Sequence, residues 1–185
     1  MTANPAPRSP GSGPPRGLSA AATEVRSTQA DTQYVTVGVD REVFALDVAC
    51  VREVIDPQPF TRLPNMPPSV CGMIDVRHQS VPVFDLRVTF GLSSGEQTEH
   101  TRIVVLEVPF GDRAAVLGAL TDRVFEVTAL DEADIEAPPE LGGAWRSPAV
   151  AGLGRRKGHL VVVLDIAKVF SLTDLTMASA DDIRL

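Results

Sequence analysis

An internal duplication constrains the fold of this chain more than any other feature. Residues 70–90 align without a gap on residues 150–170, at an offset of 80. Upstream, residues 51–54 are echoed by residues 124–127 at an offset of 73. The chain therefore contains two copies of one small unit, which differ by an insertion or deletion of seven residues. The identical positions in the longer alignment are Val70 and Val150, Gly72 and Gly152, Val81 and Val161, Val83 and Val163, Asp85 and Asp165, and Phe90 and Phe170.

Short β-strands are predicted within and around the two copies. Residues 34–39 alternate in polarity, and residues 101–108 are rich in β-branched side chains, as strands are. In each copy two strands flank a tight turn, which we predict at His78-Gln79 in the first copy and at Lys157-Gly158 in the second.

Each copy is also expected to end in a short helix and to need the other copy for stability. Asp85 and Asp165 follow the second strand of their copies, where an aspartate can cap a helix, so a structural role for both outweighs a catalytic one. A unit of about 65 residues is marginal alone. We therefore expect the two units to pack face to face over a shared apolar interface.

Composition divides the chain into three segments. Residues 1–30 consist largely of Pro, Gly, Ser and Ala, which predicts a disordered tail. Residues 31–172 are predicted to form the folded domain that contains both repeats. Residues 173–185 are predicted to be a C-terminal extension.

The charge of the chain argues against polyanionic partners. The formal net charge is −7, and residues 1–30 carry +2, so the remaining residues carry −9. An acidic body repels nucleic acid and anionic lipid. No apolar run approaches the roughly 18 residues of a membrane span. We therefore expect no nucleic-acid binding, no direct membrane insertion and a cytoplasmic location.

No residue pattern indicates catalysis or a cofactor. The spacings of His78, His100 and His159 match no metal-ligand pattern. Cys50 and Cys71 lie in apolar surroundings without CxxC spacing, which predicts two reduced, buried thiols. The sequence therefore predicts a protein that is not an enzyme and that has no catalytic residues, no metal and no cofactor.

A spaced motif across the first copy resembles the signature of the CheW family, V-x-G-x-x-N-L-R-G-x-x-x-P-V-x-D-L-R. In this chain it reads Val70-x-Gly72-x-x-x-x-Arg77-x-x-x-x-Pro82-Val-x-Asp85-Leu-Arg87. Later motifs at residues 118–127 and 152–166 follow in the order of that family's second half, so the resemblance runs from about Gln33 to Phe170. It implies a mainly β fold of two small five-stranded SH3-like barrels, internally repeated and packed together with short helices.

The resemblance also implies a role as a non-catalytic adaptor in a chemosensory complex. In such proteins one barrel engages the regulatory domain of a CheA-type histidine kinase. The groove between the barrels accepts the cytoplasmic tip of a methyl-accepting chemoreceptor, which recruits the adaptor to membrane-associated arrays. Two alternatives stay open: a specialised or inhibitory paralogue that binds only one partner in a non-flagellar pathway, and a generic small-barrel module that binds peptides.

The resemblance carries two charged residues over as candidate contact residues. Arg77 is the arginine of the family's L-R-G, and Glu53 is the acid of its V-x-E-V segment. These two are expected to pair near the receptor-contacting surface. Weaker candidates for apolar contact, for which a plain core role is equally open, are Val51, Val54, Gly72 and Val83.

Asp75 and His78 are the departures from the family signature near Arg77 that bear on partner contact. His78 stands where the family has glycine, and Asp75 stands where it has asparagine. Histidine adopts a positive φ less freely than glycine, so the turn is expected to be reshaped. We expect these two residues to alter partner specificity, as in a divergent receptor system or a paralogous pathway.

Overall fold

Residues 1–2, 32–130, 135–138 and 147–170 are described by the computed structural model of the chain. The predicted tail beyond its first two residues and the predicted extension at 173–185 lie outside the described residues. The strands in the described ranges are β1 (Gln33–Val39), β2 (Glu42–Asp47), β3 (Val51–Ile55), β4 (Val70–Val76), β5 (Gln79–Asp85), β6 (Arg102–Phe110), β7 (Arg113–Thr121), β8 (Arg123–Ala129), β9 (Val150–Arg156) and β10 (His159–Leu164). The helices are α1 (Leu86–Thr89) and α2 (Ile166–Val169), and Val48–Cys50 forms a 3-10 turn.

The strands form two five-stranded sheets. Sheet I has the order β3-β6-β7-β5-β4, and sheet II has the order β8-β1-β2-β10-β9. Sheet II combines strands from both ends of the domain. The β1–β2 hairpin, which precedes sheet I in the chain, pairs with β8 and β10, which follow it. The predicted mainly β fold of two five-stranded units with short helices is confirmed. Each sheet is an open ladder in the described residues, however, and its two edge strands are not joined by backbone pairing into a closed barrel.

The backbone pairing confirms the internal duplication. Strands β4 and β5 with helix α1 correspond to β9 and β10 with helix α2 at the offset of 80. Strands β3 and β8 correspond at the offset of 73: Val51 pairs with Leu106, Val124 pairs with Val37, and in both ladders the register shifts directly afterwards. Even the isolated bridge from residue 61 to residue 73 has a counterpart, from residue 136 to residue 153.

The main core lies between the two sheets, which confirms the predicted shared interface. Two aromatic contacts cross it. The ring centroids of Phe84 and Phe170 are 5.1 Å apart, and those of Phe44 and Phe90 are 4.8 Å apart. Phe84 and Phe170 are fully buried, and burial of such a side chain stabilises the fold by about 1.5–3 kcal/mol, whereas Phe44 and Phe90 are partly buried. Other buried members of this core are Val35, Val37, Val39, Leu46, Leu86, Val104, Leu106, Val108, Leu117, Ala119, Leu164, Ile166 and Val169.

Both predicted helix caps are confirmed. Asp85 Oδ1 accepts a hydrogen bond from the backbone N–H of Arg87 at 2.9 Å. Asp165 Oδ1 accepts one from the backbone N–H of Lys168 at 3.2 Å. These bonds satisfy donors that the first turn of a helix leaves without a partner, so the two aspartates have the structural role expected of them.

The turn between β4 and β5 lies one residue earlier than predicted. It consists of Arg77 and His78, with φ values of 52° and 68°, while Gln79 already pairs with Val76 in the ladder. A two-residue hairpin of this type needs a positive φ at both positions. The counterpart in the second copy is Lys157-Gly158, as predicted, with φ values of 48° and 82°. Arg77 is therefore the first residue of the turn.

Candidate functional site

Glu53 and Arg77 form the ion pair that the sequence predicts. Arg77 Nε lies 3.0 Å from Glu53 Oε1, and Arg77 Nη2 lies 3.2 Å from Glu53 Oε2. This two-pronged geometry is specific to a guanidinium facing a carboxylate. The hydrogen bond to Glu53 raises the pKa of Arg77 above its ordinary value. The Arg77 side chain is nonetheless 81% exposed, against 27% for that of Glu53.

This pair connects the two open edges of sheet I. Glu53 lies on β3, and Arg77 follows β4, and these are the strands at opposite ends of the sheet. The ion pair therefore spans the gap that backbone hydrogen bonds leave open. We call it the edge ion pair of sheet I. Because an exposed ion pair contributes little to stability, its clearest physical effect is to hold a charged surface in a fixed shape.

The two departures from the family signature contact each other. Asp75 Oδ1 accepts a hydrogen bond from the backbone N–H of His78 at 2.9 Å. This bond supports the turn in which His78 adopts its positive φ, a conformation that short polar side chains often stabilise. An asparagine oxygen could accept the same bond, so the new features here are the negative charge of Asp75 and the imidazole of His78. Both side chains lie on the exposed surface beside Arg77.

The four apolar candidates lie in different environments. Val54 is 42% exposed on β3, next to Glu53, so its side chain is accessible to a partner. Val51 is half-buried and packs against the main core. Val83 is fully buried in a smaller cluster of sheet I, which supports its core role rather than a contact role.

Position 72 needs glycine because the backbone at Thr61 passes close to it. Its φ is +145°, and a Cβ atom there would lie 2.7 Å from the carbonyl oxygen of Thr61. The residue is buried beneath this crossing segment. The close approach therefore gives the glycine a structural role, which is the core role that the sequence left open for it.

A groove between the two sheets is lined in part by Phe125, which the sequence did not indicate as a contact residue. It has a volume of about 290 Å³. Phe125 on β8 is 45% exposed, and the guanidinium carbon of Arg123 lies 5.7 Å from the centroid of its ring. The offset of 73 would have indicated the neighbouring Val127, which is 55% exposed, as the counterpart of Val54. The lining residues are Val54, His100, Arg102, Arg123, Val124 and Phe125.

Both cysteines are half-buried thiols without a disulfide. Burial raises the pKa of Cys71 to about 11, from an ordinary value of 9.0. Burial also raises the pKa of Cys50, with a further contribution from the charge of Asp47. A thiol reacts as its thiolate, so neither environment favours nucleophilic chemistry.

The described residues form neither a metal-holding cluster nor a membrane-spanning helix. Among them no group of three or more His, Cys, Asp or Glu side chains is arranged to hold a metal ion. No helix in the same part of the chain is long and apolar enough to cross a membrane. A duplicated β fold with an exposed ion pair beside exposed apolar side chains defines a protein-binding module.

Comparison with known proteins identifies the family of this module. Residues 33–174 match the family model of the CheW-like domain. The chain belongs to the CheW-like domain family. This match covers strands of both sheets, so it includes the edge ion pair and the groove.

Individual relatives agree with the family match. The chain is 28% identical over 145 residues to the chemotaxis protein CheW of Klebsiella aerogenes, covering 78% of this chain and 85% of that protein. It is 32% identical over 127 residues to the chemotaxis protein CheW of Bacillus subtilis, covering 69% and 79%. The crystal structure of the scaffolding protein TtCheW from Thermoanaerobacter tengcongensis is similar with a TM-score of 0.67 and 26% identity, covering 78% of this chain and 95% of that one.

Proposed function

We propose that this protein is a non-catalytic chemotaxis adaptor that couples a CheA-type histidine kinase to methyl-accepting chemoreceptors. The observation that carries the proposal is the CheW-like match over residues 33–174. The similarity to a protein described as a scaffolding protein supports the same role. On this proposal the protein works in the cytoplasm and is recruited to chemoreceptor arrays at the membrane.

The receptor contact is proposed at the edge ion pair of sheet I. Arg77 supplies an exposed guanidinium that Glu53 orients, and Val54 adds an exposed apolar side chain next to Glu53. The groove behind Val54 leads to Phe125 on the other sheet. An interface of this kind combines an apolar centre with charged groups that set orientation. The cytoplasmic tip of a chemoreceptor is the proposed occupant.

An adaptor of this kind acts through geometry and makes or breaks no covalent bond. The regulatory domain of the kinase is the proposed second partner. Two contacts that are weak on their own become strong together, because the second forms at the high effective concentration set by the first. Loss of either contact should therefore disable coupling.

The proposal is tested by size-exclusion chromatography with the kinase regulatory domain and a receptor cytoplasmic fragment from the same organism. The two partners are mixed with the protein singly and together. A ternary complex is the expected result. Arg77→Gly should weaken it, whereas Arg113→Ala, at an exposed arginine on β7, should not. Binding of only one partner would favour the specialised or inhibitory paralogue, with Asp75 and His78 as the first residues to exchange. Binding of neither partner would contradict the adaptor role.

A further inference from the structure

Sheet II carries a second edge ion pair at the positions that the duplication relates to the first. Glu126 on β8 corresponds to Glu53, and Lys157 in the turn after β9 corresponds to Arg77. Glu126 forms an ion pair with Arg156, and its Oε1 lies 3.7 Å from Lys157 Nζ. The pair again connects the two edge strands of an open sheet, β8 and β9.

The net charge at the two related positions has opposite signs. At sheet I, one cation, Arg77, lies among two carboxylates, Glu53 and Asp75. At sheet II, Glu126 forms ion pairs with two cations, Arg156 and Lys157, and Arg155 beside them adds a third, against one further exposed carboxylate, Glu136, opposite Leu153. Arg155 is exposed and forms no ion pair with any residue in the described ranges, and the Lys157 side chain is 75% exposed. This excess of positive charge lies on a protein whose net charge is −7.

The surface at sheet II is also more apolar than its counterpart. Leu160, which pairs with Arg155 across the β9–β10 hairpin, is 51% exposed. Its counterpart in sheet I is the polar Ser80. Val127, the chain neighbour of Glu126, is 55% exposed. Large apolar side chains left in water beside a charged cluster are typical of a protein-binding surface.

We propose that the surface formed by Arg155, Lys157, Leu160 and Val127 binds an acidic, amphipathic segment of a partner protein. The charge balance supplies complementarity to carboxylates, and Leu160 and Val127 supply apolar contact. Two surfaces of related shape but opposite charge bind different partners, because each repels the segment that the other attracts. Extended polyanions such as nucleic acid or an anionic bilayer meet the negative charge of the rest of the protein, which disfavours them. The inference goes beyond the proposed function, which assigns no partner to this surface.

The test uses a fluorescent synthetic peptide of glutamates and leucines arranged as an amphipathic helix. Its binding to the full chain is measured by anisotropy at about 0.05 M salt, where screening is weak. The test variant is Arg155→Gln with Lys157→Gln. The control is Arg41→Gln with Arg113→Gln, which removes the same charge from two exposed arginines elsewhere. Vesicles of phosphatidylglycerol are measured in parallel.

The proposal predicts that the peptide binds the wild type and the control equally and binds the test variant about tenfold more weakly. A matched peptide with lysines in place of glutamates should not bind. Equal peptide affinity of the test variant and the control, or no peptide binding to the wild type, would overturn it. Binding of vesicles without binding of the peptide would overturn it as well, since the surface would then recognise lipid. This assay contains neither the kinase nor the receptor, so its outcome does not depend on the adaptor role. The adaptor role is tested by the size-exclusion experiment described above.

Discussion

Arg77 has a φ of 52°, which determines how its side chain is best removed. Alanine is strained at that φ, whereas glycine is not, so Arg77→Gly deletes the guanidinium and keeps the turn. We expect Arg77→Gly to bind the receptor fragment about tenfold more weakly, with a Tm close to that of the wild type. Affinity is measured by titration calorimetry and Tm by circular dichroism.

Glu53→Gln gives the matching test from the other side of the ion pair. It should reduce affinity to a similar extent, and the double variant should be no weaker than either single one, because the two residues act as one unit. Unchanged receptor affinity in both single variants would rule out the assignment of this pair as the receptor contact.

Cys71 provides a prediction about pH. Because burial raises its pKa to about 11, the folded protein favours the protonated thiol. The resulting contribution to stability is complete below pH 9, the ordinary pKa of the thiol, and is lost as the pH rises through 11. At pH 8 iodoacetamide should alkylate Cys71 in folded protein about a hundredfold more slowly than in unfolded protein. Mass spectrometry of the Cys50→Ser variant measures this rate, and equal rates in both states would contradict the expectation.

At the scale of single elements, the β4–β5 turn depends on the hydrogen bond from the His78 N–H to Asp75. Asp75→Ala removes this bond and should cost about 0.5–1.5 kcal/mol of unfolding free energy. In a His78→Gly background the cost should be smaller, because glycine adopts the positive φ without support. Urea denaturation of the four proteins measures both costs. The same cost in both backgrounds would show that Asp75 does not support the conformation of His78.

The crossing of residue 61 over β4 depends on Gly72. Gly72→Ala should destabilise the fold by more than about 2 kcal/mol, because the new Cβ would meet the Thr61 carbonyl as well as strain the backbone. Gly91→Ala is the matched control, since Gly91 has a φ of +79° but no atom within 4 Å of the new Cβ. Its cost should be limited to the backbone strain of about 1–2 kcal/mol. Thermal denaturation of the two variants compares them, and equal losses would mean that the close approach has no cost.

At the scale of the whole molecule, the parts that were predictable from sequence are those with local signals. The duplication, the caps at Asp85 and Asp165 and the pairing of Glu53 with Arg77 are confirmed. The predicted β4–β5 turn is wrong by one residue, although the offset of 80 relates Lys157-Gly158 to Arg77-His78, because the missing glycine removes the local signal in the first copy. The assignment of the β1–β2 hairpin to sheet II and the exposure of Phe125 depend on pairing between distant segments, which local periodicity does not encode.

The relative position of the two sheets is held by a second bidentate ion pair. Arg87 on α1 belongs to sheet I, and its Nε and Nη2 lie 2.8 and 2.7 Å from the two carboxylate oxygens of Asp122, between β7 and β8. Asp122 Oδ2 also accepts a hydrogen bond from the backbone N–H of Asp40, in the β1–β2 turn of sheet II. These bonds connect the two halves near the groove where both sheets contribute residues. The hydrogen bond to Asp122 raises the pKa of Arg87.

Asp122→Ala should therefore reduce formation of the ternary complex more than it reduces binding of either partner alone. Removal of these half-buried bonds should cost about 1–2 kcal/mol of stability. It should also loosen the angle between the sheets, so that kinase domain and receptor fragment still bind singly but form less ternary complex in size-exclusion chromatography. Glu107→Ala is the control, because it breaks an exposed ion pair with Arg52 inside sheet I, where the Nε–Oε2 distance is 2.7 Å. If Asp122→Ala and Glu107→Ala left the same amount of ternary complex, the bonds made by Asp122 would have no part in coupling, since only the first variant removes hydrogen bonds between the two halves.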